Sequence, residues 1–274
     1  KLRKMSQPPK ILVTGANGQL GKELKAWAGE HAGFDFIFLS REDLPIHHFD
    51  LLRQYMDTLR PDYCVNCAAY TAVDRAESEK DLAYLVNAEA VGVLAAVCAD
   101  RGVKLIHIST DYVFPGNSSQ PYLETDATGP INVYGASKLL GEERCLEFNP
   151  AAIIIRTSWV YSEFGHNFVK TMLRLMKERE KISVVNDQVG APTYAADLAS
   201  AIMQIIGHGN WHPGIYHYSN AGRISWFDFA QAIKKFTGSS CQVDPIPTSA
   251  YPTPAKRPAF SLLDTSKLRI QYGI

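Results

Sequence analysis

Short, almost continuously apolar runs alternate with longer amphipathic ones through the first 160 residues. The runs at 10–14, 34–39, 63–69, 104–109 and 152–158 are rich in β-branched and aromatic side chains. A strand reads this way when both of its faces are buried, which is the condition of a parallel sheet. Between them, residues 22–28, the segment opened by Phe49, Asp50 and Leu51, and residues 81–100 and 139–148 carry apolar positions at helical spacing. Beyond Trp159 the alternation weakens. Helices are expected at 167–181, 197–206 and 226–236 and strands at 182–185 and 214–218, and five prolines between 245 and 258 mark an extended surface segment.

Strand and helix in regular succession predict an α/β fold. We expect a doubly wound parallel sheet of the Rossmann kind over residues 1–160 and a smaller mixed α/β substrate lobe over 161–274. Part of about 182–210 is expected to return to the Rossmann domain. Lys1 to Lys4, ahead of Met5, read as residual tag residues. No apolar run reads as a bilayer span and no signal peptide opens the chain, so a soluble cytoplasmic protein without a membrane partner is expected.

Ligands of such sheets lie beyond the carboxyl ends of the strands, so the residues that follow each run carry the chemistry. The first run leads into Gly15-Ala16-Asn17-Gly18-Gln19-Leu20-Gly21 and then a helix. Strand, glycine turn, helix is the context in which a dinucleotide pyrophosphate is held, although the spacing is G-x-x-G-x-x-G rather than G-x-G-x-x-G. The second run ends in Ser40 and Arg41, where an acidic residue would suit the ribose of NADH and an Arg suits a 2′-phosphate. NADPH is therefore favoured, and nearby Asp43 leaves NADH open. Asp50 reads equally as an adenine contact or a helix-start residue. Small residues at Cys67, Ala68 and Ala69 would let a cofactor pass close to backbone. Later runs end in Ser109-Thr110-Asp111 and Thr157-Ser158-Trp159.

Tyr134 and Lys138 lie four apart at the head of a helix, hence on one face. Lowering a phenol by ~3 pKa units takes about 4 kcal/mol, which an ammonium about 4 Å away can supply at an effective dielectric near 20. The spacing thus makes Tyr134 a usable general acid or base if both side chains line a shielded cleft; an exposed helix start is the bland alternative. Charge narrows the classes further. With 28 basic and 28 acidic residues there is no field for nucleic acid. Cys64 and Cys67 fit C-x-x-C, but alternate residues of a strand face opposite sides, so no redox pair is expected. His47 and His48 read as surface residues rather than metal ligands. Glu124 and Asp126 read as solvated.

Glycine turn, strand-end Thr and Tyr-x-x-x-Lys together resemble the extended short-chain dehydrogenase/reductase family. More narrowly, the blocks Asn66 to Asp74, Ser109 to Phe114, Tyr134-Gly135, Arg156 to Tyr161 and Asn186 to Thr193 resemble the dTDP-4-dehydrorhamnose reductases. The resemblance implies NAD(P)H-dependent reduction of the 4-keto group of a dTDP-linked 6-deoxy-hexulose, the last step of dTDP-rhamnose synthesis. It implies a catalytic group of Thr110, Tyr134 and Lys138. Cofactor contacts would come from Gly15, Asn17, Gly18, Gln19, Leu20, Gly21, Ser40, Arg41, Asp50, Leu51, Ala68, Ala69, Tyr70 and Thr71 as well as Tyr134 and Lys138. Thr110, Asp111, Trp159, Asn167 and Arg257 would contact the sugar nucleotide. For Asp111 a turn cap, for Trp159 ordinary core, and for Arg257 a solvated basic pair are the competing readings. Some relatives dimerise through Mg2+ held by glutamates. Glu23 matches one, but Ala196 stands where another would align and the chain stops at Ile274, so a homodimer is left open without a bridging metal. A sugar-nucleotide epimerase or dehydratase shares the same group, and a non-catalytic regulatory subunit, like the beta subunit of methionine adenosyltransferase, shares the fold.

Overall fold

The computed structural model describes residues 8–274, so the tag reading of residues 1–4 lies outside the described residues. Strands β1 (Lys10–Thr14), β2 (Asp35–Leu39), β3 (Tyr63–Asn66), β4 (Lys104–Thr110), β5 (Ile153–Thr157) and β6 (Gly214–Tyr218) form one sheet. Their order is β6-β5-β4-β3-β1-β2 and every pairing is parallel. Alternate residues serve opposite faces. Ile11, Val13, Val65, Ile106, Ile153 and Ile155 pack with Leu20 and Leu24 of helix Gln19–Glu30 and with Leu198 and Ile202 of helix Ala195–Gly207. Leu12, Cys64, Leu105 and Ile154 pack on the other face with Leu52, Met56, Val91 and Leu94. The sheet is doubly wound because both faces of each strand are apolar. β1 lies between β2 and β3, so strand order reverses there and a crevice opens at the carboxyl ends.

Within the expected stretch of about 182–210 the strand and the helix go to different places. Lys181–Val185 does not return to the sheet; it pairs in parallel with Gln242–Ile246. Those strands share a separate core with Met172, Met176, Ala230 and Ile233. What returns is helix Ala195–Gly207, then β6, then Leu268 and Tyr272 of helix Ser266–Tyr272. β6 was expected in the lobe; its parallel pairing with β5 and the burial of Tyr216 and His217 place it in the sheet.

Three local departures matter for the site. β3 ends at Asn66 rather than Ala69, because the Asn66 Oδ1 accepts the Thr14 hydroxyl at 2.6 Å and the Ala68 amide at 3.3 Å, turning the chain out of the ladder. The helix carrying Tyr134 and Lys138 starts at Val133, since Asn132 caps it by accepting from the Gly135 amide at 2.7 Å. The Lys80–Asp100 run contains a π turn at Leu85–Glu89. Within it Asn87 donates to the Tyr70 carbonyl and Ser137 hydroxyl and accepts from the Tyr70 amide, all within 3.0 Å. By length and composition this run is apolar enough to cross a membrane, contrary to the expectation, but more than half of it is buried against the rest of the protein. Glu124 is not a free surface carboxylate either: it accepts from the His217 amide at 3.0 Å.

One ion pair sits inside this framework. Arg156 of β5 forks onto Glu142 at 2.6 and 2.9 Å, Ser109 donates to the same carboxylate at 2.5 Å, and both charged side chains are at most 3% exposed. Removing one partner of such a pair strands the other charge in low dielectric. Glu142→Gln should therefore lower stability by about 3–5 kcal/mol, read as a fall in the urea midpoint; a loss below about 1 kcal/mol would contradict it.

Candidate active site

The glycine turn is built by close backbone approach. Gly15 has φ +66°, and a Cβ there would lie 2.7 Å from the Ala68 amide nitrogen. A Cβ on Gly21 would meet the Gly15 carbonyl oxygen at 2.6 Å. Gly18 donates to that same carbonyl at 2.9 Å. Helix Gln19–Glu30 then begins with no side-chain cap and no acidic residue in its first turn. Its first amides are left for an anion, which suits a pyrophosphate.

Over this turn lies a cleft of about 750 Å³. Gly15, Asn17, Gly18, Gln19, Leu20, Gly21, Arg41, Ala68, Ala69, Tyr70, Thr71, Thr110, Asp111, Tyr134, Lys138 and Trp159 line it, all named from the sequence. Five others lie outside the lining. Ser40 is buried and bonds Asp43 through both its amide (2.9 Å) and its hydroxyl (2.7 Å). Asp50 is exposed in the first turn of helix Phe49–Leu59, 3.3 Å from Arg53, as expected of a helix-start charge. Leu51, on the same helix, is half-buried against the core. Asn167 caps helix Phe168–Glu178 and donates to Gln19 Oε1 at 2.9 Å, so it touches the turn at second hand. Arg257 is neither solvated nor free: its guanidinium forks onto Asp74, with one arm at 2.7 Å.

The expected coupling of Tyr134 to Lys138 is not what the side chains make. Lys138 is buried and donates to the Ile108 carbonyl at 2.7 Å, with His107 Nε2 at 3.3 Å. Burial pushes the Tyr134 phenol up to about 12, with the Thr110 hydroxyl pulling the other way. Helical spacing put the two residues on one face but could not say which groups of β4 would face the lysine. Thr110 donates to Asp111 Oδ1 at 3.1 Å and accepts from the Tyr112 amide at 3.2 Å. Burial likewise raises Asp111 to about 7, with the Ser261 and Thr110 hydroxyls pulling the other way; among the described residues its Oδ2 meets no donor at full hydrogen-bond geometry.

Trp159 has φ +48°, unusual for a bulky residue, and stacks on Trp226 with ring centroids 3.6 Å apart. A Cβ on Gly190 would come 2.9 Å from the Trp159 ring, so the indole is wedged on both sides. Sequence reasoning missed Tyr112, Trp226, His47 and His166, which also line the cleft. Tyr112 sits edge-on to Tyr134 at 5.6 Å, and its place inside the Ser109-to-Phe114 block was the available signal. Trp226 had none, being brought in by the lobe. Cys67 lines the cleft beyond β3 as a free thiol whose pKa burial raises, which fits no redox role. Glu23 is buried and accepts the Ser162 hydroxyl at 2.6 Å. Among the described residues no three His, Cys, Asp or Glu side chains gather as ligands within the chain.

Burial pushes Lys138 down to about 8, with Glu142 pulling it up. The folded value lies below the unfolded one of roughly 10.4, so the unfolded chain holds the proton more tightly. The destabilisation is complete below about pH 8 and fades as pH approaches roughly 10.4. Lys138→Met should stabilise the protein by on the order of 2–3 kcal/mol at pH 7 and by progressively less toward pH 10, measured by urea unfolding across pH. A gain that does not shrink with pH would refute this account.

The family model described as RmlD substrate binding domain matches residues 9–274. A dTDP-4-dehydrorhamnose reductase of Burkholderia thailandensis is 45% identical over 97% of this chain and 93% of its own length. One from Salmonella typhimurium is 47% identical over 96% and 92%. The crystal structure of a dTDP-4-dehydrorhamnose reductase from Bacillus anthracis in complex with NADP superposes with a TM-score of 0.92 at 43% identity, covering 96% of this chain and 92% of that one. A Thermus thermophilus UDP-glucose 4-epimerase at 21% identity, TM-score 0.80, shares the fold alone. With the glycine turn, the Thr-Tyr-Lys cleft and the wedged indole in one continuous match, the chain belongs to the dTDP-4-dehydrorhamnose reductase family.

Proposed function

We propose that the protein is a cytoplasmic NADPH-dependent reductase that converts the 4-keto group of dTDP-4-dehydro-6-deoxy-L-mannose to the alcohol, giving dTDP-L-rhamnose. The observation that carries this reading is the meeting of Thr110 and Tyr134 with the glycine turn in a single cleft. That turn is a cradle which any side chain at Gly15 or Gly21 would fill, beside a helix start without acidic residues, so the residues fit a dinucleotide. NADPH supplies the hydride when bound.

The protein's part is proton delivery, orientation and exclusion of water. Tyr134 stays protonated at neutral pH because burial holds its pKa high, and it is loaded to protonate the ketone oxygen as negative charge grows there. Thr110 shares that oxygen as second hydrogen-bonding group. Lys138 holds a nicotinamide-ribose hydroxyl. Asp111, which lines the cleft beside Thr110, takes a sugar hydroxyl, and the Trp159–Trp226 stack walls the sugar. Asn167 acts through Gln19 on the turn, and Arg257 acts from its pair with Asp74. Asp43 is occupied by Ser40, which takes the acidic group away from an NADH ribose and leaves exposed Arg41 at the cleft. This favours a 2′-phosphate.

Purified protein mixed with the keto-sugar generated from dTDP-glucose should consume NADPH in stoichiometric amount, followed by absorbance. Cofactor returned unchanged would indicate an epimerase or dehydratase, and binding without consumption a regulatory subunit. Tyr134→Phe should lower kcat by about 10²–10⁴-fold while NADPH affinity stays within about twofold; near-normal turnover would remove the tyrosine from its role. Arg41→Ala should weaken NADPH about tenfold, measured by fluorescence titration, and leave NADH affinity unchanged.

A further inference from the structure

A buried chain of polar contacts connects the glycine turn to Lys138 through residues that take no part in the proposed reaction. Thr14, immediately before Gly15, donates its hydroxyl to Asn66 Oδ1 at 2.6 Å. Asn66 Nδ2 lies 3.0 Å from His107 Nδ1, and His107 Nε2 lies 3.3 Å from Lys138 Nζ. Thr14, Asn66 and His107 are fully buried.

The chain has a direction. The Ala68 amide can only donate, and it points at the same Asn66 oxygen as Thr14, so the Asn66 nitrogen faces the imidazole. An amide NH2 donates, so His107 Nδ1 must accept and the ring proton sits on Nε2. That N–H points at Lys138.

We propose that His107 is a positioning residue for Lys138, locked by Thr14 and Asn66 as the Nε2–H tautomer, so that it accepts nothing from the ammonium and donates to the neutral amine. The inference rests on the reading of Lys138 as part of the reaction site. An ammonium has three donors, one of which goes to the Ile108 carbonyl. Because the ring offers no acceptor, the remaining donors turn to the cleft that Lys138 lines. When Lys138 releases a proton into the cleft, the lone pair left on Nζ meets the His107 N–H. The other titratable groups facing Lys138 are Glu142 and Cys145 on its own helix and Cys67 beyond β3. Glu142 is already engaged by Arg156 and Ser109, and His107 is held neutral by burial and by the Lys138 charge. The device therefore favours release of the lysine proton and ties the lysine to the turn that cradles the cofactor.

His217 supplies an internal contrast, for its Nδ1 faces the Tyr122 carbonyl at 3.1 Å and must carry the proton. Long-range proton–nitrogen spectra of the uniformly 15N-labelled protein, with His107 and His217 assigned by substitution, should show both rings neutral between about pH 5 and about pH 9, His107 as Nε2–H and His217 as Nδ1–H. A His107 ring that is Nδ1–H, or that titrates within that window, would overturn the proposal. His107→Gln presents a carbonyl to the lysine, and His107→Phe removes the N–H. In either folded variant the limb of the kcat–pH profile set by Lys138 should move up by about one pH unit. A limb that stays in place in a folded variant overturns the proposal, and if neither variant folds the tautomers decide. Absence of turnover in the parent protein would count against the reductase reading and leave the tautomer result standing.

Discussion

Two stretches of backbone meet at the switch point of the sheet more closely than side chains allow, and the cleft depends on that meeting. Gly15 turns with positive φ against Cys67 and Ala68, and Gly21 then brings the following helix down on the turn. Parallel register sets Thr14 opposite Asn66, which lets the Asn66 side chain end β3 and release residues 67–71 into the crevice. Without that early end the strand would run on through the space the cleft now occupies. The anion-binding helix start and the small residues beside it are two results of one contact.

Burial governs the chemistry inside the cleft. Tyr134 and Asp111 are pushed up and Lys138 is pushed down, each toward its neutral form. A reductase needs a proton donor that is still loaded at neutral pH, and a tyrosine near 12 meets that need. The helical spacing of Tyr134 and Lys138 suggested the opposite, a phenol lowered by its neighbour. Coulomb attraction in that estimate was sound in size, but it assumed that the ammonium faced the phenol, and β4 claims it instead through the Ile108 carbonyl.

What was legible in the sequence follows from what periodicity encodes. Gly15 to Gly21, Thr110, Asp111 and Trp159 could be placed because each follows a buried strand, and strand ends share one edge of a parallel sheet. Ser40 and Asp50 could not be decided, since their answer lies in Asp43 and Arg53, and short-range hydrogen bonds leave no period in the sequence. Arg257 pairs with Asp74 across 183 positions, and Trp226 reaches Trp159 from the other lobe. Such long contacts are tertiary facts. The same holds for β6, which joins the sheet after an excursion of the chain through the lobe.

The π turn at Leu85–Glu89 bears on how this chain can change over time. A π turn carries one residue more than the α-helical path it replaces, and each residue rotates a helix by about 100°. Asn87 reaches both Tyr70 and Ser137 only because that residue is present. Deleting a single residue upstream in this helix would keep its apolar character and its length nearly unchanged, yet rotate Asn87 away from the Tyr70 backbone. Drift by substitution is open to this helix, whereas drift in its length is closed by an amide that faces the cleft wall.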